Sequence, residues 1–144
     1  MFSKSCEYAI RAMIYIADQS MKGIRTTLTD ISHEIDSPVA FTAKILQQLS
    51  KNQVVSSFKG PSGGFYMTEL QLQTINLTKV VKAIDGDKVF TNCGLGLKQC
   101  SEKQPCPVHH KFKAIRTDLC IMLDSTTIEE MAKGLKPGIT YLKH

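Results

Sequence analysis

Apolar residues recur at helical spacing through residues 3–19, SKSCEYAIRAMIYIADQ, where Ala9, Ile10, Met13, Ile14, Ile16 and Ala17 form one broad face. That face predicts a packed first helix ending near Lys22-Gly23. Thr27 then opens a T-x-x-D motif, a capping-box start that predicts a short second helix carrying Leu28, Ile31 and Ile35 and stopping before Ser37-Pro38. A third helix follows at once. Ser37 is its expected N-cap and Pro38 its first helical residue, because proline has no amide hydrogen to leave unpaired there. With Ile45, Leu46 and Leu49 inward and about 100° per residue, Ala40, Ala43, Lys44, Gln47 and Lys51 fall on the opposite side. This outer face is small, polar and basic.

Periodicity changes after Lys51-Asn52. QVVSSF is a β-branched run, KGPSGG a turn and FYM a returning strand, which together predict a narrow hairpin. Two helices with a tight joint followed by a hairpin predict a winged helix-turn-helix. Lysine and glutamine on the outer face can donate to phosphates and base edges in a major groove. The candidate DNA contacts are therefore Ala40, Ala43, Lys44, Gln47, Gln48 and Lys51 on the helix, with Lys59, Gly60, Ser62 and Gly63 in the turn. A basic helix face taken alone is more often a solvated one. Its position directly before a glycine-rich hairpin, in a window from residue 37 to 67 with no acid, shifts the reading to nucleic acid.

Asn76 or Thr78 starts the next helix, LTKVVKAIDG, which Gly86 closes. The segment FTNCGLGLKQCSEKQPCPVHH then interrupts regular structure with glycines at 94 and 96 and prolines at 105 and 107. Three of the chain's five cysteines lie in it, as C-x6-C-x5-C-x2-H over Cys93, Cys100, Cys106 and His109. The segment is too polar to bury free thiols as packing residues. Thiolates are soft ligands for iron-sulfur clusters or zinc, and the C-x2-C pairs of structural zinc sites are missing. An iron-sulfur cluster is the first expectation, zinc the second, and three unliganded surface thiols the third.

From Pro107 to about Leu123 the residues Val108, Phe112, Ile115, Leu119 and Met122 are spaced 4, 3, 4 and 3 apart. Such a stripe is either core packing within the chain or a dimer seam. The dimer is favoured, since small DNA-binding modules read paired half-sites. Thr126 or Thr127 caps a short closing helix, IEEMAKG, and the residues after Pro137 are expected to fray. Cys6 and Cys120 sit on helical faces as packing residues.

Composition narrows the class without defining it. A 144-residue chain with 42% hydrophobic and 22% charged residues has a globular balance. No run is long enough to cross a membrane, and charges interrupt residues 1–19 too often for a signal peptide, so a cytoplasmic protein is expected. The net charge of +5 is compatible with a polyanionic partner. No Ser-His-Asp set, supported carboxylate pair or phosphate-binding loop is recognisable, so an enzyme is not expected. The expected organisation is a DNA-binding domain over residues 1–88, a cysteine-rich loop over 89–106 and a dimerisation helix with C-terminal arm over 107–144.

The segments EYAIRAM, LTDIS, ILQQLSKNQVVSSFKGPSGGFYM and V-x-x-AIDG, followed by the late cysteine trio, resemble the Rrf family of bacterial regulators in its IscR and NsrR branches. The resemblance spans nearly the whole chain. It implies a mainly α homodimeric winged-helix transcription factor, dimerised through the helix after the cysteines, with a 2Fe-2S or 4Fe-4S cluster near that interface and double-stranded DNA as partner. IscR-like members would use Cys93, Cys100, Cys106 and His109. NsrR-like members would replace the histidine with a carboxylate at the position of Glu7 of the partner subunit. The first cysteine gap is x6 here, where relatives commonly have x5, and Lys59 stands at a wing position where they often have arginine. The function expected is a repressor sensing redox state, nitric oxide or iron-sulfur status. The alternatives are a zinc-stabilised or cluster-free regulator using thiols, and an iron-sulfur redox protein.

Overall fold

The computed structural model describes residues 1–144 as eight helices and one two-stranded hairpin. Helix α1, Lys4–Met21, is the centre of the fold. Cys6, Ala9, Ala12, Met13, Ile16 and Ala17 are wholly buried along it, and the three alanines let neighbouring backbones come close. Against it pack α2, Leu28–Glu34; α3, Val39–Lys51; α5, Leu77–Asp85; and α8, Ile128–Lys133. One hydrophobic core joins them, and it includes Leu123, Ile128 and Ala132 from the C-terminal part. The arm after the cysteines is thus anchored in the core that supports the helix-turn-helix.

Local chemistry explains the helix boundaries. Ser3 caps α1 by accepting from the Cys6 amide at 3.0 Å. Thr27 and Asp30 form the capping box of α2 at 3.1 and 3.5 Å, worth about 1 kcal/mol. At α3 the boundary differs from expectation by one residue. Pro38 is the cap, in extended conformation at ψ 136°, and Val39 is the first helical residue. Ser37 caps no amide; its Oγ lies 2.8 Å from Thr42 Oγ1, which also donates to the Pro38 carbonyl at 2.9 Å. Thr42 is fully buried, so this pair satisfies a hydroxyl that burial would otherwise leave costly.

The hairpin is shorter than the β-branched run suggested. Gln53 turns with φ 61°, Val54 and Val55 drop into the core, and only Ser56–Phe58 (β1) and Gly64–Tyr66 (β2) pair, with Ser57 opposite Phe65. A third segment holds the far edge. Thr26 donates its N–H to the Phe65 carbonyl at 3.0 Å and accepts the Phe65 N–H at 2.7 Å. A Cβ at Gly64 would sit 2.6 Å from the Thr26 carbonyl oxygen, so this approach requires glycine.

Two short helices were not expected, α4, Glu69–Thr74, and α6, Lys88–Thr91. The Thr68/Gln71 capping box starts α4. The residues after Pro137 do not fray. The tail folds back, with Leu142 accepting from Arg11 at 3.2 Å and Lys143 Nζ donating to the His33 carbonyl at 3.0 Å. Arg11 also donates to the Ile35 carbonyl at 3.1 Å, so one guanidinium ties tail and α2 together.

The long helix, α7, runs His109–Ser125 with Val108 as its cap, two residues later than expected. It buries Leu123 but leaves Phe112, Ile115 and Met122 exposed, at 38%, 65% and 44%. Phe112, Ile115 and Met122 of the apolar stripe are therefore left uncovered by this chain, while Leu119 packs partly against its core. Of the two cysteines assigned to packing, Cys6 is fully buried and Cys120 half-buried.

Burial, then the charge and hydrogen bonding of Asp85, push the Cys6 thiol up to about 12 from 9.0. Asp85 also accepts from the Ser3 amide at 2.9 Å, joining the start of α1 to the end of α5. The folded state holds the Cys6 proton more tightly than the unfolded chain. This contribution is complete below the unfolded value of 9.0 and is lost as pH rises towards about 12, at roughly 1.4 kcal/mol per pH unit. Urea unfolding between about pH 8 and 11 should show wild type losing stability faster than Cys6→Ala by that slope; parallel curves would refute the assignment.

Candidate nucleic-acid interface and cysteine loop

On α3 the inward residues Ile45, Leu46 and Leu49 are at most 3% exposed. Ala40, Lys44, Gln47 and Lys51 face solvent, and Ala43 is half-buried. Gln48 is exposed, but its Nε2 donates to the Ala83 carbonyl at 3.0 Å, so it ties α3 to α5. Lys59, Gly60 and Ser62 are exposed at the hairpin tip, and Gly63 closes the turn by donating to Gly60 at 2.9 Å. A Cβ at Gly63 would fall 2.1 Å from the Phe58 carbonyl oxygen, so the narrow tip depends on that glycine.

Between α3 and the hairpin lies a cleft of about 500 Å³ lined by Leu28, Ala43, Gln47, Ser50, Lys59 and Gly60 among others. Helix face and hairpin tip thus open onto one space. Lys44, Lys51 and Lys59 take part in no ion pair. Ser50, absent from the sequence-based candidates, lines the cleft with a buried Oγ that has no partner. Its place on the cleft wall comes from the hairpin's approach, which helical periodicity does not reveal.

The cysteines lie in a loop packed against α7. A Cβ at Gly94 would meet the Phe112 ring at 2.6 Å, so the loop backbone rests directly on that ring. Arg116 holds the loop at two points, donating to the Asn92 carbonyl at 2.7 Å and placing Nη2 3.2 Å from Cys100 Sγ. Cys100 Sγ is also 3.3 Å from His109 Nδ1. Cys93 is 8% exposed. The amides of Leu95 and then Leu97 hold its thiol below the ordinary range, helped by a hydrogen bond with Cys106 and the Arg116 charge. Lys113 pairs with Glu102 and holds that carboxyl low.

Of the four expected ligands, Cys100 and His109 are in direct contact, while Cys106 acts on Cys93 by helping to hold its thiol low. No three His, Cys, Asp or Glu side chains converge as a metal site. The donor chemistry still fits a thiophilic centre: three thiols, that of Cys93 held below its ordinary range, and a histidine only 3% exposed whose Nε2 is buried without a partner. Glu7 is elsewhere, exposed on α1 and paired with Lys4 at 3.2 Å.

The helix-turn-helix, the hairpin and the open cleft between them define a winged-helix DNA-binding protein. The chain belongs to the Rrf2 family, described as iron-dependent transcriptional regulators, whose profile matches residues 2–134. These are transcriptional regulators and not enzymes. Over 133 residues the chain is 30% identical to a candidate HTH-type transcriptional regulator of Aquifex aeolicus, covering 91% of this chain and 90% of that protein. It is 29% identical to the regulator IscR of Xenorhabdus nematophila over 127 residues, 88% of this chain and 76% of the relative. In fold it is similar to CymR, the global cysteine regulator of B. subtilis, at TM-score 0.78 and 20% identity over 94% of this chain and 98% of that one. T. potens IscR follows the same fold at TM-score 0.72 and 16% identity, covering 97% and 91%. No helix is long and apolar enough to cross a membrane.

Arg116 is the clamp between loop and α7. Arg116→Ala should speed tryptic cleavage after Lys98 or Lys103 several-fold while leaving the melting temperature of the core within a few degrees. Unchanged cleavage would show that the loop is held by other contacts.

Proposed function

We propose that this chain is a homodimeric repressor that senses redox state, nitric oxide or iron-sulfur status through a cluster held by Cys93, Cys100, Cys106 and His109. Residues 1–88 read DNA, 89–106 form the sensing loop, and 107–144 supply the dimer helix and arm. The observation that carries this reading is the clamping of the cysteine loop, at Asn92 and Cys100, by Arg116 of α7, which leaves Phe112, Ile115 and Met122 exposed. A second copy laid on Phe112, Ile115 and Met122 would cover them. It would also set the separation of two recognition helices, which must match half-sites about one helical turn apart. Ala40, Ala43, Lys44, Gln47 and Lys51 face the major groove in this reading, with Lys59, Gly60, Ser62 and Gly63 against the backbone. Gln48 supports α3 from α5.

When bound, an iron-sulfur cluster supplies a centre that oxidants, nitric oxide or iron shortage alter. The chain's own part is mechanical. Cys100 and Asn92 hold the Arg116 guanidinium, Gly94 seats the loop on Phe112, and any rearrangement of the thiols changes those contacts with α7. Helix α7 meets α5, and α5 meets both α1 and α3, so a shift of α7 reaches the recognition helix through packed side chains. A cluster-free thiol sensor is the second reading, favoured by the Cys93 thiol, which the amides of Leu95 and Leu97 hold below its ordinary range.

Anaerobic purification with visible absorption, iron and sulfide assays separates the two. Colour with iron and sulfide that disappears in the Cys93/Cys100/Cys106→Ala variant is the expected result. A colourless, iron-free protein after anaerobic reconstitution would overturn the cluster. For the DNA reading, a duplex selected from a random pool by the wild type provides the probe. Lys44→Ala should weaken all sequences alike and lower the slope of log affinity against log salt by about 0.9. Gln47→Ala should lose about 1–3 kcal/mol at one base position. Wild-type behaviour of both variants would remove α3 from the interface.

A further inference from the structure

The lysine at the hairpin tip is not the wing's only cation. Arg25 lies in the segment between α1 and α2, immediately before Thr26. That neighbour is 2% exposed and hydrogen-bonded in both directions to Phe65 of β2, at 3.0 and 2.7 Å. The backbone at Arg25 is thereby fixed to the edge of the hairpin. Its guanidinium carbon stands 4.5 Å from the Phe58 ring centroid and 5.1 Å from that of Tyr66.

Register explains why one guanidinium meets both rings. Phe58 pairs with Gly64, and Tyr66 lies two residues beyond Gly64 on the same strand, so both rings belong to one face of the hairpin. Gly64, between them, has no side chain, and a Cβ there would come within 3.6 Å of Arg25 Cβ. The gap it leaves is the space over which Arg25 lies. Arg25 is exposed and enters no ion pair. Stacking uses the flat face of a guanidinium and leaves its N–H edge free, the edge that matches a phosphate with two parallel hydrogen bonds.

We infer that Arg25, held by Phe58 and Tyr66 at the root of the wing, is a DNA-backbone contact that grips a phosphate beside the groove the wing enters. The inference rests on the winged-helix DNA-binding reading and adds to it a residue outside both the recognition helix and the hairpin. Lys59 at the tip is a flexible point charge. Arg25 is a pre-oriented fork, so it orients the wing while the α3 residues read bases. If it merely covered the two rings, its charge would be irrelevant to DNA affinity.

The test measures affinity of the full-length protein for the selected duplex from about 50 to 200 mM salt, with thermal melts as a folding control. Arg25→Ala should weaken binding about 5- to 20-fold at low salt, equally on selected and unrelated duplexes, and lower the salt slope by about 0.9. Arg25→Lys should restore the slope but only part of the affinity. Phe58→Leu should keep the slope while lowering affinity, because the charge remains and its platform is gone. Lys133→Ala, on α8 and paired with Glu129, should match wild type. An Arg25→Ala slope equal to wild type, in a protein that melts normally, overturns the inference and leaves the winged-helix reading standing. Absence of salt-dependent binding by the wild type overturns both.

Discussion

Everything in this fold leans on the buried side of α1. Its small residues, Ala9, Ala12 and Ala17, and the larger Met13 and Ile16 are wholly buried in the core where α1 packs against α3, α5 and α8. A close-packed interior of this kind is stiff, so displacement of one helix is transmitted and not absorbed. The recognition helix, the hairpin and the C-terminal arm share that interior. The N-terminal reading unit and the arm after the cysteines are thus parts of one mechanical body.

Pairing of Thr26 with Phe65 makes the same point for the wing. An isolated two-stranded hairpin is marginal in water. Here its outer edge is tied to the segment before α2, and Gly64 makes the tie possible. The wing therefore keeps a defined angle to α3, and the cleft between them keeps its shape without DNA. Preorganisation of this kind reduces the ordering cost of binding.

Much of this was legible from residue order. The first-helix stripe, the Thr27 capping box and the inward triplet of α3 are local patterns, and the structure follows them. What periodicity could not show depends on contacts distant in sequence. Val54 and Val55 read as strand but are drawn into the core once Gln53 adopts positive φ. The tail reads as a frayed end, yet Arg11, over a hundred positions earlier, holds it. Helix α4 had a readable signal, Thr68 three residues before Gln71, which its short length and alternating LQLQ pattern obscured. Within the site, the outward face of α3 was readable, whereas Ser50 on the cleft wall and Gln48 turned towards α5 required the hairpin and α5 in place. The cysteine trio suggested thiophilic chemistry by residue type alone. The contact of Cys100 with His109, and the hold of Arg116 on Cys100 and Asn92, arise from packing against α7.

In the proposed function the state of the cysteine loop sets DNA affinity through α7. The most direct test is to titrate one selected duplex, anaerobically, with cluster-loaded protein and with the same preparation stripped by a chelator. The two affinities should differ by about tenfold or more, within the usual range for allosteric coupling, and the same two treatments of the Cys93/Cys100/Cys106→Ala variant should give no difference. Equal affinity of loaded and stripped wild type would contradict it, leaving a winged-helix regulator whose cysteines do not govern its hold on DNA.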